Sequence, residues 1–118
     1  MSFWVWAAVA VLGGLSAIAR FALDGVVASR AGRSFPYGTL AVNATASLLL
    51  GLVTGLALTG DALLLAGTAT IGSYSTFSTW MLETHRLAEG GETPVAILNV
   101  VVSLAVGIGA AALGRAIV

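Results

Sequence analysis

Four stretches of this chain run for about 20 residues or more without a charged side chain, the length a helix needs to cross a hydrocarbon core of roughly 30 Å. No charge precedes Arg20, and none lies within 37–60, 62–82 or 95–114. The charged residues fall between these stretches, in 24–33, at Asp61, in 83–92 and at Arg115. The pattern predicts an all-α membrane protein with four transmembrane helices near 3–23, 37–59, 62–82 and 94–116. The connections are too short for a second domain, so 1–118 reads as one four-helix unit.

Composition agrees. Hydrophobic residues make up 58% of the 118 and charged residues only 8%, against about a quarter charged in a soluble domain. Most of the surface therefore suits lipid. The first span lacks a basic leading region and runs into Gly13, Gly14 and Arg20 without a cleavage pattern, which favours a span over a removed signal. With no cysteine there are no disulfides or thiolate metal sites. No Ser–His–Asp arrangement, phosphate loop or metal-ligand cluster is present, so no enzymatic machinery is expected, and no basic patch points to nucleic acid.

Four helices alone hardly enclose a polar path and shield it from lipid, so oligomerisation is expected. Gly51 and Gly55 form a GxxxG, and Ser103, Gly107 and Ala111 recur every four residues in the last span. Such spacing lets helix backbones approach closely, within one subunit or between two.

Polar chemistry concentrates in the third span. Five hydroxyl side chains besides Tyr74 lie between Gly72 and Thr79. Either they bond back to their own carbonyls, or the helix breaks near 72–75 and its freed carbonyls meet an ion. Non-helical backbone survives at membrane depth only where protein or a water-filled cavity satisfies it. If the segment past Ser75 is helical, Ser75, Ser78, Thr79 and Glu83 form one polar stripe. Phe77 and Trp80, three apart, project together. Their pairing is either packing or a way of turning positive ring edges toward a small anion. Asn43 in the second span, and Asn99 with Ser103 in the fourth, need partners in lipid; helix–helix hydrogen bonds and pore lining are the two accounts. Arg20 either snorkels to the interface or draws anions to a vestibule. His85, beside Glu83 and Arg86, reads as solvated.

These residues resemble a known family. Gly38-Thr-Leu-Ala-Val-Asn43, then Ser47 and Gly51, is similar to the second-span signature of the small dual-topology fluoride channels (the Fluc or CrcB family). Ser75-Thr-Phe-Ser-Thr79 followed by Glu83 resembles its third-span signature, and Gly13-Gly14 with Ala17 and Arg20 resembles its first-span motif. The resemblance covers essentially the whole chain. It implies passive export of fluoride through the plasma membrane of a prokaryote, with protection from fluoride toxicity. It also implies an antiparallel dimer, a third helix broken near its middle, and a structural sodium ion (Na+) at the dimer centre. By the motif, backbone carbonyls of Gly72 and Ser75 would hold that ion. Phe77 and Trp80 would be the pore aromatics and Asn43 the pore asparagine. Ser78, Thr79 and Glu83 would form the polar track, joined by Ser103 and Asn99, with Arg20 at the vestibule.

The chain departs from the pattern in places. Trp80 replaces a phenylalanine, and the bulkier indole would narrow or close that pore. Phe21 stands where tyrosine is common, Ala46 where glycine is usual, and Ser73 and Tyr74 where glycine and a small or aliphatic residue are typical. Arg30, Arg33 and Arg86 lie on one side of the expected topology, with Arg20 near that boundary, and only Arg115 opposite. This bias favours both termini outside the cytoplasm, so the partner is either the chain itself or an oppositely oriented homologous subunit. Two other classes remain. A small multidrug exporter would need an acid within the first span, where 3–23 has none. A non-transporting scaffold would leave the hydroxyl-rich third span unexplained.

Overall fold

The computed structural model describes residues 2–118. Helix α1 covers Phe3–Ala31. Ser2 opens it by accepting a hydrogen bond from the Val5 amide at 3.4 Å. Gly32 closes it at φ 83°, in the left-handed region open to glycine, with its N–H on the Ala28 carbonyl at 3.1 Å. The first span, expected near 3–23, is thus part of a longer helix. Charge marks where lipid ends, not where a helix ends. Residues 24–31 contain no proline, and Arg30 in the last turn complements the helix dipole. The longer helix takes in an acid, Asp24, just past the span expected at 3–23.

Helix α2, Tyr37–Gly55, starts after Pro36 and stops four residues short of the expected end at 59. There the chain turns through Ala57 at φ 54° and Gly60 at φ 59°. The segment expected as one span at 62–82 is divided. It runs as α3 (Gly60–Leu63), a π-helical stretch (Leu64–Ile71) and α4 (Gly72–Tyr74), and resumes as α5 (Ser78–Glu89) after an interruption at 75–77. In the wide-wound stretch the Thr70 hydroxyl donates to the Leu65 carbonyl, five residues back, at 2.7 Å. A glycine turn at Gly90 and Gly91 leads to α6, Thr93–Ile117, with a proline in its first turn.

Among the described residues all regular structure is helical. Three helices, α1, α2 and α6, are long and apolar enough to cross a membrane. The largest interface is α2 on α6. It closes tightly because glycine faces backbone: a Cβ on Gly51 would strike the Ala111 carbonyl, and one on Gly114 the Leu48 carbonyl. Gly51 therefore packs helices within this chain. Helix α1 lies against α2 and the π-helical stretch. Gly38 leaves room there for Asp24. The core is thin, built from Val42, Ala46, Ala69, Ile71 and Ala96 with buried Thr39 and Asn99. Large apolar side chains such as Trp4, Trp6, Ile18 and Ile108 cover the outside, the coat that lipid requires.

Candidate functional site

The interruption at 75–77 organises the polar residues. Tyr74 is the last helical residue, Ser75 is extended (φ −75°, ψ 162°), and Phe77 returns to helical values before α5. The Ser75 amide still reaches the Ile71 carbonyl at 3.0 Å. The Thr76 amide does not continue the ladder. It donates to Asn43 Oδ1 at 2.9 Å, while Asn43 Nδ2 donates to the Thr76 carbonyl at 2.7 Å. Asn43 thus replaces, on both sides of one residue, the helix partners that the break removes. The Thr76 hydroxyl in turn accepts from the Thr79 amide at 3.1 Å, capping the new helix start.

Among the described residues, no hydrogen bond reaches the carbonyls of Gly72, Ser73 or Tyr74. Arg20 Nη1 lies at donor distance, 3.5 Å, from the Ser75 carbonyl. Neutral carbonyl oxygens released from a helix are hard donors of the kind small hard cations take. Gly72 and Ser75 therefore fit the sodium expectation in donor type, with Arg20 as a competing neighbour at Ser75.

Two cavities adjoin the break, and a third lies beyond them. One of about 430 Å³ is lined by Asn43, Ser75, Phe77, Trp80 and Ser103, and lies between α2, α5 and α6. A second, about 240 Å³, gathers Arg20, Asp24, Thr39, Ser78 and Thr79. A third, about 300 Å³, lies at the end of the molecule, with Asp24, Arg33, Tyr37, Glu83 and Arg86 around it. Thr39 links the last two, since its hydroxyl donates to the Glu83 carboxylate.

Phe77 and Trp80 meet edge to face, centroids 5.8 Å apart at 88°. Phe77 is 70% exposed, whereas the Trp80 indole N–H donates to the Asn99 carbonyl at 3.3 Å. Asn99 lines none of these cavities. It is 1% exposed, and its amide donates to Thr84 at 2.8 Å, whose hydroxyl donates to the Trp80 carbonyl at 2.9 Å. This is the helix–helix arrangement, one of the two readings open for Asn99. Ser103 combines both roles, facing the largest cavity and lying 3.5 Å from Asn99 Oδ1. Gly72 is exposed and outside all three cavities.

Sequence reasoning passed over Thr39, Asp24, Thr45 and Tyr74. Two of them had a signal. Thr39, Asn43 and Ser47 repeat every four residues along α2, and Asp24 follows Arg20 by four. Tyr74 OH and Thr45 Oγ1 are 2.7 Å apart, a contact between separate elements that no spacing announces. Together the three cavities offer hydroxyls, an amide, ring edges and the guanidinium groups of Arg20, Arg33 and Arg86, beside the carboxylates of Asp24, Glu83 and Glu92.

The family profile described as "CrcB-like protein, Camphor Resistance (CrcB)" matches residues 7–115. The chain is 53% identical over 111 residues to fluoride-specific ion channel FluC 2 of Mycolicibacterium paratuberculosis, covering 94% of this chain and 91% of that protein. It is 52% identical to fluoride-specific ion channel FluC 2 of Mycobacterium tuberculosis strain H37Rv, covering 94% and 88%. Fluoride-specific ion channel FluC 1 of Leifsonia xyli subsp. xyli is 50% identical over 112 residues, covering 91% and 81%. With its first-, second- and third-span motifs inside the matched region, this chain belongs to the CrcB family.

Proposed function

We propose that this chain is a subunit of a fluoride-selective channel that exports fluoride passively across a prokaryotic plasma membrane. The observation that carries the reading is the single polar and aromatic constellation at the break, with Asn43, Phe77, Trp80 and Ser103 around one cavity. It occurs in a chain about half identical to proteins named fluoride-specific ion channels. In this reading α3, the π-helical stretch, α4 and α5 together make a fourth crossing, and two subunits pack antiparallel, the second being a copy or a homologue. The carbonyls of Gly72 and Ser75, with the same pair from the second subunit, would hold a structural sodium ion, whose charge would lock the dimer centre.

The chain's own groups account for passage. Stripping water from a small anion is costly, so the path must offer replacement donors at each step while binding weakly enough to release. Arg20 draws the anion inward, and the hydroxyls of Thr39, Ser78 and Thr79 supply donors. Glu83 accepts from Thr39 and so orients that hydroxyl. Phe77 offers a ring edge, Asn43 keeps one amide hydrogen beyond the one given to Thr76, and Ser103 completes the lining.

The test is fluoride efflux from liposomes containing only this purified protein, with chloride as the control. Rapid fluoride loss without chloride loss is expected if the chain pairs with itself. Silence that a homologous subunit relieves would indicate a mixed dimer, and silence from a folded pair would remove the reading. Efflux that requires a proton gradient and fails in Asp24→Asn would favour a proton-coupled exporter instead.

A further inference from the structure

The break is tied to α2 at two successive points. Thr76, just after Ser75, is clasped by Asn43 through both its amide and its carbonyl. Tyr74, just before Ser75, meets Thr45 at 2.7 Å. The direction of the second contact follows from proton counting. Thr45 has one hydroxyl hydrogen, and its Oγ1 already lies 2.8 Å from the Ala41 carbonyl and 3.0 Å from the Val42 carbonyl. The Tyr74 hydroxyl is therefore the donor and Thr45 the acceptor.

Positions two apart on a helix diverge by about 200°, so Asn43 and Thr45 leave α2 in nearly opposite directions. The segment is gripped from two sides, which resists rocking as well as displacement. Between the two ties stands only Ser75. Its carbonyl shares a planar trans peptide with the Thr76 amide. With that N–H directed at Asn43, the Ser75 oxygen points away from Asn43, toward the side where Arg20 lies. Asn43 sets the far edge of this peptide plane, and Tyr74 fixes where the plane begins.

We infer that the Tyr74–Thr45 hydroxyl pair is a positioning element for the Ser75 carbonyl, one of the two oxygens proposed to hold sodium. It rests on the sodium reading of Gly72 and Ser75. The pair does not touch the ion; it narrows the range over which the carbonyl swings and so raises affinity by preorganisation.

The experiment uses the full-length protein in detergent, with N-methylglucamine replacing sodium at constant ionic strength and the thermal unfolding midpoint followed as sodium is restored. Tyr74→Phe keeps the ring and removes only the donor. It is expected to raise the sodium concentration for half-maximal stabilisation about fivefold, the scale of one net hydrogen bond. Thr45→Val should give the same shift, the double variant no more than either, and Thr45→Ser should restore the original value. Thr54→Val, whose hydroxyl bonds only the Leu50 carbonyl on its own helix, should change nothing in the sodium midpoint. A wild-type protein indifferent to sodium would remove the sodium reading and this inference with it. A sodium-responsive wild type with an unshifted Tyr74→Phe midpoint would overturn the inference alone; should that variant fail to fold, an unshifted Thr45→Val does the same.

Discussion

Asn43 shows how much one side chain contributes here. Its two bonds to Thr76 satisfy an amide and a carbonyl that the interrupted helix leaves without partners. Asn43→Leu is expected to lower stability by about 2 kcal/mol, because two bonds go and a partly buried peptide is orphaned. Asn43→Asp keeps the acceptor, loses the donor and adds negative charge beside the proposed anion path. It should cut fluoride efflux at least tenfold (about 1.4 kcal/mol or more in the barrier) while remaining folded, as read by flux and unfolding in parallel. Ala57 offers a converse case. It is exposed and holds φ 54°, a left-handed conformation that costs a non-glycine residue about 1 kcal/mol. Ala57→Gly should therefore raise the unfolding midpoint without altering flux. At this scale motif spacing singled out Asn43, Phe77, Trp80 and Ser103, which the fold brings around one cavity, but it did not reveal hydrogen-bond partners. Asn43 binds backbone, and Asn99 turns to Thr84, because those choices depend on where the chain breaks and how α5 lies on α6.

The interface of α2 with α6 rests on the absence of side chains. Gly51 and Gly114 face carbonyls of the opposite helix, so Gly51→Val or Gly114→Val would drive a Cβ into backbone that has no flexible end to move. Each is expected to cost roughly 3 kcal/mol, the upper part of the overpacking range, and to lower the midpoint before any question of transport arises. Hydropathy located the apolar stretches of α1, α2 and α6, placed α6 within one residue at each end, and missed where α1 and α2 stop. The first span was read to stop at 23 because charge begins there, yet Asp24 and Arg30 sit comfortably in a helix that ends only at Gly32. In the third stretch the break expected near 72–75 is found at 75–77, but apolar length did not foretell the form of the helix around it. Its π-helical winding and the stop at Tyr74 depend on bonds from Thr70, Asn43 and Arg20, and apolar length carries no trace of them.

At the scale of the molecule, the chain is a membrane protein 50 × 29 × 23 Å in extent, with a long α1. Arg33 and Arg86 border the same end cavity, while Arg115 lies at the other end, where its carbonyl adjoins Gly55. With the fourth crossing proposed above, this asymmetry favours both termini outside the cytoplasm. A glycosylation acceptor or single cysteine after Val118 should accordingly report one orientation. Equal signals from both sides would instead suit a dimer of identical chains inserted both ways. The tethers of the break also run in one direction along the chain. Arg20, Asn43 and Thr45 all precede the residues they hold, Tyr74, Ser75 and Thr76. Chains are made and inserted from the N-terminus, so when the interrupted segment leaves the ribosome its partners are already in the membrane. The Ser75 carbonyl and both backbone groups of Thr76 thus find partners that precede them in the chain, while the carbonyls of Gly72, Ser73 and Tyr74 are left to whatever meets them at the break.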